Sequence, residues 1–272
     1  MAVVHQRRTK SRGSLTIVGT GIRAISHITL EALTYIRGAD KVFHVLTDPL
    51  IEDYILRQNP ASESLKHLYV EGGERLTTYR AMQREILEAV RSGLHVCAVF
   101  YGHPGVFVTP SHEAIRQAQK EGYEAQMLPG VSAEDCLFAD LGFDPAEWGC
   151  QSFEATHFLV HRKKYDPSSA LVLWQVGAIA DPLHSPQKKN TKGLTILKRV
   201  LCEAYPASHT VVLYEAAILP GVHPTINPIS LDRLDERPLS GLVTLYVPPM
   251  VETADPAMLE ELGLDLKAIE QS

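Results

Sequence analysis

The chain has 272 residues, 45% hydrophobic and 21% charged, with a formal net charge of −6. Such a composition suits one large globular domain or two small ones, and the excess of acid over base argues against a nucleic-acid platform built on clustered lysine and arginine. The apolar runs fall short of a membrane span, and Cys97, Cys136, Cys150 and Cys202 are scattered without a C-x-x-C pair; no membrane partner, zinc site or disulfide framework is expected, and a cytoplasmic setting fits.

Residues 1–13 read as a flexible tail with a basic run, His5-Gln6-Arg7-Arg8-Thr9-Lys10-Ser11-Arg12. Leu15-Thr16-Ile17-Val18 predicts a short buried strand, followed by Gly19-Thr20-Gly21 and a helix carrying Ile25, Ile28, Leu33 and Ile36. Residues 41–46 predict a second strand, and Asp48-Pro49 opens a helix as N-cap and first residue. Residues 65–69 predict a third strand, Glu71-Gly72-Gly73-Glu74 a loop, and residues 79–90 a helix with Met82, Ile86, Leu87 and Val90 inward. The apolar run 94–100 predicts a buried parallel strand that feeds Tyr101-Gly102-His103-Pro104-Gly105-Val106-Phe107. A helix follows from Pro110-Ser111 to Gly122, with Ser111 as its cap, then a strand at 124–128 and a helix at 133–141 behind Pro129-Gly130-Val131-Ser132. Five successive β-loop-α units predict a parallel sheet with helices on both faces, over 14–142.

The texture changes at Gly142-Phe143-Asp144-Pro145, and a second domain is expected over 143–249. Strands are predicted at 151–155, 158–161, 170–175, 210–215 and 242–247, with a helix at 195–204. Most of these strands are not separated by helices, so a mixed or antiparallel sheet is expected. Residues 182–192 read as an exposed polar loop, and 250–272 as a short acidic linker with a small helix over 256–269.

Gly19-Thr20-Gly21-Ile22-Arg23-Ala24 matches G-x-G-x-x-A after a strand, and Asp48 could meet the ribose of a dinucleotide. The later glycine loops do not belong to that fingerprint. Val18-Gly19-Thr20-Gly21, Tyr101-Gly102-His103-Pro104-Gly105-Val106-Phe107 and Leu128-Pro129-Gly130-Val131-Ser132-Ala133 stand at successive strand ends. Together they resemble the tetrapyrrole methylase superfamily, although His103 stands where the usual G-D-P carries aspartate. That departure, with Glu134-Asp135-Cys136-Leu137-Phe138-Ala139-Asp140-Leu141 after the third loop, is similar to the borosin peptide α-N-methyltransferases. The resemblance runs from about residue 13 to 249.

The resemblance implies an α/β fold of two α/β domains with a cofactor cleft between them, and S-adenosylmethionine as the methyl donor, leaving S-adenosylhomocysteine. It implies iterative methylation of backbone amide nitrogens of a ribosomally made precursor peptide, by a homodimer. The catalytic positions correspond to Tyr69, Arg75, Tyr79 and Tyr101, and the cofactor-lining ones to Tyr101, His103, Val106, Phe107, Ala133, Gln175, Ala216, Val243 and Thr244. Val243 stands where relatives carry a small hydroxyl residue. Fused members carry a hydrophobic core peptide behind a clasp segment. With no repetitive apolar tail after Pro249, a split arrangement with the precursor supplied in trans is expected, a truncated fused enzyme being the alternative. Two competing readings are a small-molecule methyltransferase of the superfamily and a non-catalytic peptide-binding relative.

The chemistry explains why such residues are needed. A peptide nitrogen is a poor nucleophile because its lone pair is delocalised into the carbonyl. Methylation requires loss of the N–H proton or stabilisation of charge on oxygen, with nitrogen about 3–3.5 Å from the methyl. Arg75 offers a fixed cation for that oxygen. Tyr79, four residues on, or Tyr69 could accept the proton, and Tyr101 could orient the donor. Each also has a plainer reading: Arg75 a surface ion pair with Glu71 or Glu74, Tyr79 a core residue, Tyr69 a strand-end aromatic, His103 a loop buttress, and Gln175 a satisfied polar residue.

Overall fold

The computed structural model describes residues 12–46, 48–69, 75–181, 191–250 and 253–265. The basic run before residue 12, the 71–74 loop, most of the 182–192 loop and the end of the last predicted helix lie outside the described residues. The chain forms two compact units, one of residues up to Phe143 together with Glu215–Thr225, the other of Asp144–Tyr214 and the residues from Ile226 onward.

In the first unit β1 (Ser14–Gly19), α1 (Leu30–Gly38), β2 (Lys41–Val45), α2 (Pro49–Gln58), β3 (Ser62–Ser64), α3 (Arg75–Arg91), β4 (His95–Phe100), α4 (Thr109–Lys120), β5 (Glu124–Met127) and α5 (Ala133–Leu141) follow in order. The strands align as β3-β2-β4-β1-β5, and every pairing is parallel. Side chains alternate across the pleat, so each apolar strand feeds two cores. Val96, Ala98 and Phe100 join Met82, Ile86 and Ala114 on the α3–α4 face. Cys97 and Val99 join Ala32, Ile36, Ile51 and Ile55 on the α1–α2 face. The predicted parallel sheet covered on both faces is present.

Three local expectations fail for identifiable reasons. The first helix does not reach back to Ile25, which has a φ of 66°; it starts after Thr29, whose hydroxyl accepts from the Ala32 amide. Residues 65–69 are not a strand. Leu65–Leu68 turn as a 3-10 helix behind β3, because Ser64 accepts from the Lys66 amide and closes the turn. Ser111 does not cap α4; its buried hydroxyl lies 2.7 Å from the Val108 carbonyl and 2.5 Å from that of Pro104.

The second unit contains α6 (Pro145–Trp148), β6 (Cys150–Glu154), α7 (Ala155–Val160), β7 (Ala170–Trp174), α8 (Thr191–Leu201), β8 (Thr210–Glu215), β9 (Thr225–Ser230), β10 (Thr244–Val247) and α9 (Pro256–Leu262), except that the last residue of β8, Glu215, and the first of β9, Thr225, belong to the first unit. Its sheet runs β6-β7-β10-β8-β9, with β6 parallel to β7 and β10 antiparallel to both β7 and β8, the mixed sheet expected. The strand predicted at 158–161 is helix instead: the Glu154 carboxylate accepts from the Thr156 and His157 amides and starts α7 there. Phe158 on that helix is fully buried beside Leu171, Leu173 and Leu245, a burial that stabilises by roughly 1.5–3 kcal/mol. Among the described residues no helix is long and apolar enough to cross a membrane.

Candidate active site at the carboxyl edge of the parallel sheet

Three glycine loops meet where β1, β4 and β5 end. Gly21 and Gly102 form a bridge, each amide donating to the other's carbonyl at 3.2 and 3.1 Å. A Cβ at Gly19 would stand 2.0 Å from the Gly102 carbonyl oxygen, so this crossing admits only glycine. Gly130 closes on the same point, its ideal Cβ 3.4 Å from that oxygen and 3.6 Å from the Gly19 Cα. The convergence is the strand-end crevice at which open parallel sheets hold ligands.

The second loop is held from within. The Gly105 amide donates to His103 Nδ1 at 3.0 Å, and His112 Nε2 donates to the Gly105 carbonyl at 2.9 Å. His103 therefore buttresses its own loop. Sequence reasoning missed Ser111 and His112 as staples of this loop, because a serine before a helix reads as a cap and a helical histidine as surface. Val106 and Phe107 stand at the tip, and Phe107, half exposed, has a φ of 56°. A non-glycine residue in that region costs roughly 1–2 kcal/mol, strain of the kind that gathers at ligand sites.

Tyr101 extends β4, half-buried, with Cys136 of α5 and Glu215 near enough to act on it electrostatically. Burial first, then those two groups, pushes its hydroxyl up to about 12, so it is a neutral donor at ordinary pH. The Cys136 thiol is likewise pushed up to about 11, chiefly by burial. Ala133 opens α5 under a capping box in which the Ser132 hydroxyl and the Asp135 carboxylate exchange bonds with each other's amides. Glu215 and Ala216 belong to the segment that returns to this unit, anchored by the Ala24 amide donating to the Ile218 carbonyl at 2.8 Å. Nothing in the sequence marks that return.

Tyr69 follows the 3-10 turn after β3, 51% exposed. Tyr79 lies on α3, half-buried against the Leu15, Ile17 and Phe100 core, so the plainer core reading describes its ring. Arg75 is the first residue of α3, and its side chain lies outside the described residues. In the second unit Gln175, Val243 and Thr244 come together: Gln175 follows β7 with a φ of 59°, the next amide, Val176, donates to the Val243 carbonyl at 3.1 Å, and Thr244 pairs with Tyr214. Val243 and Thr244 are buried. Asp48 is occupied as an N-cap, its carboxylate accepting from the Leu50 amide at 2.7 Å, which removes the ribose ligand of the dinucleotide reading.

A family model described as Tetrapyrrole (Corrin/Porphyrin) Methylases matches residues 14–228. The chain is 46% identical over 266 residues to the methyltransferase/ribosomally synthesized cyclic peptide gymnopeptides precursor of Gymnopus fusipes, covering 96% of this chain and 63% of that protein. It is 46% identical over 248 residues to the corresponding omphalotin A precursor of Omphalotus olearius, covering 89% and 59%. With a type I borosin cyclic peptide precursor of Serendipita vermifera subsp. bescii it shares 41% over 260 residues, covering 93% and 63%. The chain thus spans about three fifths of the length of these relatives. In fold it is similar to the uroporphyrin-III C-methyltransferase of Thermus thermophilus, with a TM-score of 0.62 at 20% identity over 92% of this chain and 96% of that one. The cobalt precorrin-4 methyltransferase gives 0.61 at 17% over 86% and 94%. Converging glycine loops on a parallel sheet, and a match over most of the chain, lead to one conclusion: the chain belongs to the tetrapyrrole (corrin/porphyrin) methylase family.

Proposed function

We propose that the protein is an S-adenosylmethionine-dependent methyltransferase that repeatedly N-methylates backbone amides of a ribosomally made precursor peptide. The observation that carries this reading is 46% identity, over 96% of the chain, to a protein named as both methyltransferase and cyclic-peptide precursor. The corrin and porphyrin enzymes, at 20% and 17% identity, support the fold alone.

The first unit suits the donor. Close-packed glycine backbones leave room for a ligand to approach, Val106 and Phe107 offer apolar surface, and Tyr101, Cys136 and Glu215 lie half-buried at the same edge. From the second unit the resemblance adds Gln175, Val243 and Thr244. When bound, S-adenosylmethionine supplies an electrophilic methyl group. This chain's task is then to activate and align the amide. Arg75 is assigned to the carbonyl oxygen as it gains negative charge, and Tyr101, held neutral, donates a hydrogen bond instead of taking the proton. The N–H proton falls to Tyr79 or Tyr69, the remaining tyrosines of the set. The precursor is offered as a separate polypeptide, and the active form is a homodimer; light scattering checks the latter.

Mass spectrometry of a precursor peptide incubated with the protein and S-adenosylmethionine tests the reading. Gain in methyl steps is expected, and its loss in Arg75→Ala and Tyr79→Phe. Turnover of a tetrapyrrole without peptide methylation would sink the peptide reading in favour of the small-molecule one.

A further inference from the structure

Glu215, the last residue of β8, is half-buried, and among the described residues its carboxylate has no ion-pair or hydrogen-bond partner. The Tyr101 hydroxyl and the Cys136 thiol beside it have none either. A carboxylate with no cation beside it can answer one that a ligand brings. The described ion pairs of the first unit lie elsewhere, between residues such as Lys66 and Glu52 or Arg91 and Glu121. Nor is Glu215 on a loose loop. Its segment is pinned by the Ala24–Ile218 bond of 2.8 Å, next to the turn that follows the Gly21–Gly102 bridge.

We propose that Glu215 is the counter-charge for the sulfonium of the methyl donor, so that this chain distinguishes the charged donor from its neutral product. The inference rests on the donor assigned above and adds a residue to it. Two features favour the sulfonium over a lysine or arginine of the peptide. Glu215 adjoins Ala216 in sequence and lies near enough to Tyr101 to act on it electrostatically, and both are assigned to the donor. A sulfonium also has no N–H to give, so it is recognised by field alone; a carboxylate near the donor loop supplies that field without requiring directional donors. On transfer the S–CH3 bond breaks as the N–CH3 bond forms, and the amide proton passes to the base. Sulfur becomes a neutral thioether, and Glu215 is left without its partner, which favours product release.

Isothermal titration calorimetry of wild-type protein and Glu215→Gln, with S-adenosylmethionine and S-adenosylhomocysteine in separate arms, tests this. The variant is expected to weaken the charged donor about tenfold while changing the product less than about twofold, a difference that shrinks as ionic strength rises. Retained product binding shows that the variant is folded, and Glu215→Asp should restore part of the preference. Equal weakening of both ligands, or of neither, overturns the role of Glu215. If wild-type protein binds neither ligand, the donor assignment itself fails, and the inference fails with it.

Discussion

The two edges of the parallel sheet are made by the same strands and end in opposite ways. At the amino edge the polar groups are satisfied: Ser14 meets His95 Nδ1 at 2.8 Å, the His95 amide donates to Asp40 at 2.8 Å, and Gln126 donates to the Tyr35 hydroxyl at 2.9 Å. Cavities of about 320 and 550 Å3 open there. At the carboxyl edge the backbone is packed so closely that only glycine fits, while Tyr101, Cys136 and Glu215 are half-buried and, among the described residues, their side chains have no hydrogen-bond or ion-pair partner. What marks the site is polar groups left unanswered over rigid loops.

The largest effect that would break this contrast is at Gly19. An alanine there puts a methyl 2.0 Å from the Gly102 carbonyl, a clash of backbone with backbone that no rotamer relieves. Gly19→Ala is expected to destabilise by about 3 kcal/mol or more, read as lost soluble protein or a collapsed Tm in thermal denaturation. A Tm within a degree of wild type would show that the crossing is looser than described.

How much of this was legible in the sequence follows from the range of the interactions involved. β1, β2 and β4 are apolar runs followed closely by glycine or aspartate, and β5, though polar in part, stops before Pro129, so local pattern located them; the capping of α2 by Asp48 was readable for the same reason. β9 was not, because Thr225–Ser230 carries Pro228 and little apolar alternation; it lies at the end of the sheet order, where a missing amide is tolerated. α7 was misread because six residues are too few for periodicity to separate helix from strand, and the Glu154 cap decides it. In the site, glycine spacing pointed to the loops, and the resemblance to the tyrosines. The approach of Glu215 to Tyr101, and the His103 bond within its own loop, are tertiary facts with no local signature.

Tyr101 gives the next largest effect. Tyr101→Phe removes a neutral donor from the carboxyl edge and is expected to lower kcat for methyl transfer about 100-fold, the usual cost of losing one such group. Because the hydroxyl is held up to about 12, the variant and wild type should share one pH profile over the neutral range. A profile that changes on substitution would instead identify Tyr101 as the proton acceptor.

A smaller effect follows from the same burial. Tyr101 and Tyr246 each have their ionisation raised from 10.0 to about 12, and Cys136 from 9.0 to about 11, chiefly by burial. The folded state thus prefers their neutral forms. That stabilisation is whole below the unfolded values and is lost as pH climbs through the folded ones. Tm should fall steadily from about pH 9 to pH 12, and Tyr101→Phe should remove part of the slope. A flat Tm across that range would mean these groups are solvated.

The smallest effect lies at the amino edge and has the opposite sign. Gly38 ends α1 beside the cavity lined by Thr34 and Tyr35, and no atom stands within 4 Å of the position a Cβ would take. Alanine there meets no obstacle, narrows the unfolded ensemble and favours the helix, so Gly38→Ala should stabilise by about 0.5–1 kcal/mol. With Gly19→Ala it makes a matched pair: the same methyl added to the same unit, tolerated at the edge where the structure has slack and excluded where the loops cross. If both variants lost stability alike, the slack at the amino edge would be illusory, and the contrast between the edges would rest on Tyr101, Cys136 and Glu215 alone.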